Sequence, residues 1–510
     1  MSRIANAKRN IRYGYINTLV SLFLKFLTRT VFIYTIGVTY LGVNGLFTNI
    51  LSVLSLADLG ISTALNFSLY KPVAQKDIQK IKALMQIFKK AYSIIAIVIA
   101  ILGLSLLPFL SIFIKNPIGI TPSELVLYYL LFLFNTVSTY FVSYKYSLAN
   151  ADQRNYIETN FQTATILVTS LVQVAVLLIF KSFLFYLLSA TVIELFHKIL
   201  VNIYLNKRYP YLAEQVEGNL TKEELTPIKR NIKALVYHKI GSVAVHQTDN
   251  ILISTFIDVS TVGIVSNYVL VMHSITSFIN IAFNALVSGL GNLVATEDLE
   301  RQYTIFKVYR FVGFWLYGFF SISFALLLSP FIQIWLGKEM VLASGVIYVI
   351  LIDYYIKGHR IVVNNFKTAA GVFNQDKYIS LLQAIVNLVV SIVLVLRIGL
   401  IGIYIGTVVQ GLIFTFSRPA ILYKHVFKKK AYLYYKDSLF YVAVLAIPLV
   451  ALFWMQKQFF STISILNFLL FGMIDVVVVN GVFLILLHKR EEFSYLKNLF
   501  IKKLGRKSHV

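Results

Sequence analysis

Cysteine is absent from the 510 residues of this chain, so it has no disulfide framework, thiolate metal site or cysteine nucleophile. Charged residues are scarce at 14%, against about 25% in ordinary soluble domains. The sequence contains neither a G-x-x-x-x-G-K-[ST] phosphate-binding loop nor an H-E-x-x-H zinc motif. These absences exclude ATP hydrolysis by a Walker-type loop and metalloprotease chemistry of the H-E-x-x-H type.

Apolar residues are abundant instead. Hydrophobic residues make up 58% of the chain, which includes 40 Phe and 32 Tyr, and the formal net charge is +25. This apolar content excludes a disordered or fibrous protein and exceeds what the core of a soluble enzyme needs. A basic chain is often a nucleic-acid-binding protein, whereas a membrane protein with basic cytoplasmic loops is the competing explanation. The positions of the basic residues distinguish the two.

Fourteen apolar segments are long enough to cross a bilayer, which takes about 20 residues of helix. We therefore predict an all-α integral membrane protein with about fourteen transmembrane helices. The predicted spans are 13–36, 42–70, 91–114, 123–148, 161–180, 182–204, 235–257, 262–293, 306–330, 341–363, 378–396, 400–422, 438–455 and 463–487. The fifth and sixth spans are separated only at Lys181.

The basic residues lie almost entirely on one side of this predicted topology. With the N-terminus in the cytoplasm, 40 of the 47 Lys and Arg fall on the cytoplasmic side, five on the outer side and two inside the first span. This is the distribution that the positive-inside rule describes. It predicts a multi-pass protein with both termini in the cytoplasm and a basic surface that contacts anionic lipids. Nucleic acid is not needed as a partner to explain the charge.

An internal repeat divides the chain. At an offset of about 221 residues, 73–80 aligns with 294–301, and Gly42 aligns with Gly263. The offset equals six spans, so both halves enter the membrane in the same direction, as in transporters built from parallel repeats. We predict two pseudo-symmetric six-helix lobes around a central cavity plus two extra C-terminal helices. The predicted boundaries are 1–205 for the first lobe, 206–234 for a cytoplasmic linker, 235–423 for the second lobe, 437–488 for the last two spans and 489–510 for a basic tail.

Lys25 and Arg29 lie inside the first span, spaced i, i+4 on one helix face. A charge near the bilayer centre costs at least about 2.5–3.5 kcal/mol, so two on one face require water, an anion or a carboxylate. One interpretation is a binding site for a phosphate-bearing substrate, and the other is a structural ion pair with Asp249 on the seventh span. The repeat aligns Lys25 with His246 and Arg29 with Asn250, which predicts a polar patch in each lobe facing a shared cavity.

Asp58, Asp353 and Lys357 are further ionisable residues in predicted spans. Asp58 is either a coupling-ion or gating carboxylate, or a partner for a neighbouring Lys or Tyr. Asp353 and Lys357 are spaced i, i+4, which favours a local ion pair. Both also remain candidates for the cavity or for ion coupling.

Five stretches of the sequence resemble Wzx-type polysaccharide flippases, which belong to the multidrug/oligosaccharidyl-lipid/polysaccharide exporter superfamily. These stretches are YLGVNGLF at 40–47, LADLGI at 56–61, ADQRNY at 151–156, KRYPYL at 207–212 and QTDNILIS at 247–254. The resemblance implies a flippase of the bacterial cytoplasmic membrane that is not an enzyme and needs no cofactor. It would move undecaprenyl-pyrophosphate-linked oligosaccharide repeat units outward by alternating access, for capsular polysaccharide, exopolysaccharide or O-antigen synthesis.

The resemblance also implies roles for particular residues. Lys25 and Arg29 would hold the diphosphate, and coupling to a proton or sodium gradient would suit Asp58 or Asp249. The cargo, a lipid-linked oligosaccharide, implies a polysaccharide polymerase and glycosyltransferases as partners in the pathway.

Three alternatives stay open. A drug or metabolite exporter of the same superfamily would have an acidic cavity for cationic drugs, and the pair Lys25 and Arg29 argues against that. A flippase for a peptidoglycan precursor or a teichoic-acid chain differs only in cargo. A membrane glycosyltransferase or polymerase would need a catalytic carboxylate in an outer loop, where Asp258 and Glu339 are the candidates.

Overall fold

The computed structural model of this chain describes residues 3–55, 61–115, 117–214, 226, 248–372, 375 and 377–507. In these ranges it contains eighteen α-helices and no strand. The helices are α1 (Arg3–Ile36), α2 (Val38–Leu54), α3 (Ile61–Gln75), α4 (Ile78–Ser105), α5 (Leu110–Phe113), α6 (Pro122–Ala151), α7 (Tyr156–Phe180), α8 (Phe183–Arg208), α9 (Thr248–Phe256), α10 (Val259–Thr296), α11 (Leu299–Leu336), α12 (Ser344–His359), α13 (Ile361–Ala369), α14 (Lys377–Ile398), α15 (Leu400–Leu422), α16 (Tyr432–Phe459), α17 (Ile465–Leu487) and α18 (Glu491–Lys507).

Eleven of the described helices contain stretches long and apolar enough to cross a membrane. They correspond to eleven of the fourteen predicted spans. Large apolar side chains also cover their outer faces, as shown by Val477 and Ile485 of α17, which are each 71% exposed. A helix that is apolar on all faces is typical of a membrane span, where lipid contacts the outer face. The chain is an all-α, multi-pass membrane protein.

The three remaining predicted spans are built differently. Span 42–70 corresponds to two helices, α2 and α3, and residues 56–60, including Asp58, lie outside the described residues. Span 341–363 corresponds to α12 and the start of α13, which meet at Arg360. Span 235–257 overlaps only α9, because residues 227–247, including His246, also lie outside the described residues.

Tight turns join several neighbouring helices. Only Gly37 separates α1 from α2, and its φ of 91° lies in the left-handed region that favours glycine. Lys181 ends α7 with a φ of 48°, and α8 begins two residues later. The predicted division between the fifth and sixth spans at Lys181 is therefore confirmed.

The internal repeat recurs in the positions at which helices begin. α2 and α10 begin 221 residues apart, and so do α4 and α11. The residues that precede α4 and α11 are Asp77 and Asp298. Their carboxylates accept the backbone N–H of Lys80 at 3.0 Å and of Arg301 at 2.7 Å. Both helices are thus capped at the N-terminus in the same way.

The chain divides into two compact units, residues 1–266 and 267–510, and the division falls within α10. In the first unit, a hydrophobic core joins α3, α4, α6 and α8. In the second unit, one aromatic-rich core joins α10, α11 and α13, and another joins α11 to α16 and α17. The rings of Phe314 and Tyr441 stack in this last core with their centroids 4.3 Å apart.

A buried arginine fastens α16 to α11 in the second unit. Arg310 of α11 is 3% exposed, and its guanidinium donates to the Ser438 hydroxyl at 2.6 Å and the Tyr434 carbonyl oxygen at 2.7 Å. It also lies 3.6 Å from the Asp437 carboxylate and 3.9 Å from the centre of the Tyr434 ring. One side chain therefore anchors the first of the two extra C-terminal helices.

We expect Arg310→Met to lower the melting temperature of the detergent-purified protein. The substitution removes the buried guanidinium that donates to Ser438 and Tyr434 and that pairs with the Asp437 carboxylate. Loss of one partner of a buried ion pair costs about 3–5 kcal/mol. The lower end applies here, since Arg490 lies 3.5 Å from Asp437 and still contacts it. Arg397→Met is the matched control, because Arg397 is exposed. Equal melting temperatures for the two variants would contradict the anchoring role.

Candidate functional site

Helix α1 carries the two cations that the sequence places in the first span. Lys25 is exposed, and the described part of the chain gives it no hydrogen-bond or ion-pair partner. Arg29 is half-buried and donates at 2.6 Å to the hydroxyl of Ser266 on α10. The hydroxyl of Ser266 in turn donates to the Gly263 carbonyl oxygen at 2.7 Å. Arg29 is therefore held in place, while Lys25 on the same helix face is accessible to a ligand.

Asp249 and Asn250 lie in α9, in the same unit, and both are half-buried. Arg29 donates to the neutral hydroxyl of Ser266, and its ion pair with Asp249 stays a prediction. The roles of Asp58 and His246 also stay predictions, since both residues lie outside the described ranges.

The starts of α2 and α10 touch at two glycines that the repeat aligns. A Cβ atom on Gly42 would lie 1.8 Å from the Val259 carbonyl oxygen, and one on Gly263 would lie 2.3 Å from the Val38 carbonyl oxygen. Each position therefore requires glycine, because the partner backbone occupies the space of a side chain. Small residues permit this close approach of helix backbones in membranes. We name this feature the α2–α10 contact; all of it lies in the first unit.

Hydrogen bonds extend the α2–α10 contact. The hydroxyls of Thr39 and Ser260, which are 221 residues apart in sequence, lie 2.8 Å from each other. Nearby, the Lys115 N–H donates to the Ser254 carbonyl oxygen, and the Val259 N–H donates to the Lys115 carbonyl oxygen, both at 3.3 Å. The segment that follows α5 thus pairs with the turn between α9 and α10.

Asp258, one of the candidate catalytic carboxylates, has a structural role in this turn. Its two oxygens accept the backbone N–H of Thr261 at 2.7 Å and the Thr261 hydroxyl at 2.8 Å. This arrangement is an N-terminal cap on α10, and it uses both carboxylate oxygens.

In the second unit, Asp353 and Lys357 of α12 form the local ion pair that their spacing favours, with Oδ2 and Nζ 2.6 Å apart. Arg360, at the junction of α12 and α13, is buried and donates to the Gly411 carbonyl oxygen at 2.7 Å. A role of Asp353 or Lys357 in ion coupling stays a prediction.

Several further cations are buried, although the sequence interpretation counts all of them on the cytoplasmic side of the predicted topology. The described basic residues that are 3–7% exposed are Lys82, Lys145, Lys198, Arg310, Arg360 and Lys367. Lys145 donates to the side-chain oxygens of Asn202 and Asn206, the latter at 2.6 Å. Asn202 and Asn206 are spaced i, i+4, and this polar pair at the end of the sixth span is the signal that could have indicated a buried partner.

A polar cavity of about 470 Å³ in the first unit is a second feature that the sequence interpretation overlooks. All of its lining side chains are polar: three Tyr, five Ser or Thr, two Asn and Glu158. Seven of them form a stripe along α6, at positions 136, 139, 140, 143, 146, 147 and 150. A polar stripe at helical spacing in an otherwise apolar span is visible in the sequence.

No protein-family model and no curated protein sequence matches the chain. Several solved structures are similar to the chain. The lipid II flippase MurJ, in an inward closed conformation, has a TM-score of 0.66 and 15% identity, with 93% of this chain and 97% of that chain covered. An inward-facing multidrug resistance MATE family transporter of the MOP superfamily has a TM-score of 0.61 and 14% identity, with 82% and 98% covered.

A MATE transporter of Vibrio cholerae, VcmN, has a TM-score of 0.56 and 14% identity, with 84% of this chain and 99% of that chain covered. The chain therefore shares the fold of these transporters, and the predicted fold class is confirmed.

The α2–α10 contact predicts that the double variant Thr39→Cys, Ser260→Cys forms a disulfide, because the two side-chain oxygens lie 2.8 Å apart. The chain has no other cysteine, so the cross-link is unique. With a protease site inserted in the predicted linker 206–234, the two fragments should migrate together on a non-reducing gel and separate after reduction. The control is Thr48→Cys, Ser260→Cys, since Thr48 lies about 14 Å further along α2. Equal cross-linking of both pairs would refute the contact.

Proposed function

We propose that this protein is a flippase that moves undecaprenyl-pyrophosphate-linked oligosaccharide repeat units from the cytoplasmic to the outer leaflet, for capsular polysaccharide, exopolysaccharide or O-antigen synthesis. Three observations support the proposal. The fold is shared with a lipid II flippase and with MATE transporters, the first helix presents Lys25 and Arg29 on one face, and five sequence stretches resemble Wzx-type flippases.

Lys25 is the observation that carries the proposal. An ammonium group near the middle of a membrane span costs at least about 2.5–3.5 kcal/mol, and the described residues supply it with no counter-charge. A diphosphate would supply that counter-charge. The guanidinium of Arg29, one turn away on the same helix, adds a second positive charge. Two cations together would offset the cost of moving a diphosphate through a medium of low dielectric constant.

The α2–α10 contact suits an outer gate for alternating access. Under the topology predicted from the basic residues, it lies at the outer ends of the helices. Glycine positions contribute no interlocking side chains, so the two backbones can separate with little repacking. In the proposed mechanism the contact excludes the outer aqueous phase while cargo enters from the cytoplasm, and its opening releases the head group outside.

A proton or sodium gradient is the proposed energy source, and Asp249 and Asp58 are the proposed coupling carboxylates. Glycosyltransferases would assemble the cargo before this step, and a polysaccharide polymerase would use it afterwards. These two partner assignments follow from the chemistry of a lipid-linked oligosaccharide.

A lipid-linked peptidoglycan precursor is the second candidate cargo, because MurJ flips lipid II and shares the fold. It carries the same diphosphate, so Lys25 and Arg29 would serve it equally. Export of cationic drugs is disfavoured, since a cation would be repelled by these two residues.

Lys25→Ala and Arg29→Ala should each reduce polymer export at least tenfold, because each removes one of two cations that contact the diphosphate. The measurement is polymer at the cell surface, normalised to the amount of flippase in the membrane. Arg397→Ala, at an exposed position, should retain normal export. Normal export by both Lys25→Ala and Arg29→Ala would refute the diphosphate site.

Oxidation of the double variant Thr39→Cys, Ser260→Cys should stop export, and reduction should restore it, because the cross-link prevents the α2–α10 contact from opening. The assay uses proteoliposomes with lipid-linked oligosaccharide, and the unoxidised variant is the control. Undiminished transport by the fully cross-linked protein would show that the contact is not the gate.

A further inference from the structure

We propose that the polar cavity of the first unit binds sugar residues of the cargo. This inference rests on the flippase function proposed above. It assigns the sugars of the head group to the polar cavity, whereas the diphosphate is assigned to Lys25 and Arg29. The cavity is about 470 Å³, within the range of about 300–1,000 Å³ for small-molecule sites. Every residue that lines it carries a polar group, which distinguishes it from a groove for a lipid tail.

Acceptor oxygens line the cavity. Glu158 supplies a carboxylate, which accepts from the Asn150 amide at 3.4 Å and from the Gln162 amide at 3.1 Å. Thr139 and Ser143 of α6 supply hydroxyls, which donate to backbone carbonyl oxygens of the same helix at 2.8 Å and 2.9 Å. The oxygen of a hydroxyl that donates can still accept. Sugar hydroxyls, several on each ring, can donate to all three groups.

Tyrosine rings in the same wall suit the apolar faces of sugar rings. Tyr92 and Tyr140 lie side by side with their centroids 6.0 Å apart. The hydroxyl of Tyr146 lies 3.4 Å from Nε2 of His197, whose Nδ1 lies 2.5 Å from the Thr165 hydroxyl. This relay fixes the orientation of the Tyr146 ring. The C–H groups of a pyranose ring carry slight positive charge and are attracted to the electron-rich faces of such rings.

The cavity is unsuited to the diphosphate, because the carboxylate of Glu158 would repel it. The cations of α1 lie elsewhere in the same unit. α1 and α7 are joined where Asn17 donates to the Thr163 hydroxyl at 2.7 Å. Both helices run outward in the predicted topology. Measured from this hydrogen bond, Lys25 lies about 12 Å outward along α1, and Glu158 lies about 7.5 Å inward along α7.

Lys25 and Glu158 are therefore separated by about 20 Å along the helix axes. A head group held by its diphosphate at Lys25 would reach the cavity only if several sugars extend inward from it. The arrangement selects a cargo with an oligosaccharide over the carrier lipid alone.

The test compares two lipids on the purified, full-length protein in detergent. One is undecaprenyl pyrophosphate without sugar, and the other is the lipid-linked oligosaccharide fraction extracted from membranes of the strain that encodes the chain. Affinities are measured by displacement of radiolabelled undecaprenyl pyrophosphate. The cavity variant Thr139→Val, Ser143→Ala removes two lining hydroxyls with little change in volume. The matched control is Asn155→Leu, because Asn155 is exposed and its side chain makes no cap hydrogen bond.

We expect the wild-type protein and Asn155→Leu to bind the sugar-bearing lipid at least tenfold more tightly than the bare carrier. The cavity variant should lose this preference and bind the bare carrier as the wild type does, which also shows that it is folded. If the cavity variant keeps the preference, or loses both lipids, the sugar site is wrong while the flippase function stands. If the wild type binds neither lipid, the proposed function itself is overturned.

Discussion

Positive charge solvated by neutral oxygen atoms is the physical constraint on which this structure depends. The chain has 47 basic residues and only 22 acidic ones, so carboxylates cannot neutralise every cation that leaves the water. Lys145 is held by two asparagine side chains, Lys198 by a carbonyl oxygen and a serine hydroxyl, and Arg360 by a carbonyl oxygen. Such partners accept hydrogen bonds from the cation but do not cancel its charge. The protein interior therefore favours anions, which agrees with a diphosphate cargo.

The first unit gathers the features on which the proposed function rests. The cations of α1, the polar cavity beside α6 and α7, and the α2–α10 contact all lie within residues 1–266. The helix α1 takes part in more than one of them, because Asn17 binds α7 and Arg29 binds Ser266 on α10. A change in the position of α1 would therefore be transmitted to the cavity side through Thr163 and to the α2–α10 contact through Ser266. One helix can thus couple substrate binding to opening of the contact.

Much of the fold could be predicted from the sequence, because span length and charge asymmetry are strong signals in a membrane protein. The division at Lys181, the ion pair of Asp353 with Lys357 and the helix starts that recur at one offset are examples. The junction of α12 and α13 at Arg360 was not predicted, since residues 341–363 were interpreted as one span.

The site was harder to predict than the fold. Lys145 and Lys198 stand at the ends of spans, where the positive-inside rule treats every lysine alike, and only the structure shows their asparagine and serine partners. The cavity was missed because Ser, Thr and Tyr lower the hydropathy of a span too little to interrupt it. The bond of Arg29 to Ser266 joins residues 237 positions apart, and no local pattern indicates such a pair.

The reciprocity of the α2–α10 contact has a consequence for the origin of the chain. Thr39 contacts Ser260, its equivalent in the repeat. Gly42 contacts Val259, and Gly263 contacts Val38, which is the repeat equivalent of Val259. This is the geometry of an isologous interface, in which two identical surfaces meet across a two-fold axis, as in a homodimer. The two halves thus touch here as two copies of one ancestral subunit would. In such a dimer a single glycine codon would provide the glycine on both sides of the contact. After gene fusion the two halves could diverge in sequence, except at the positions where the backbone of the partner half occupies the space of a side chain.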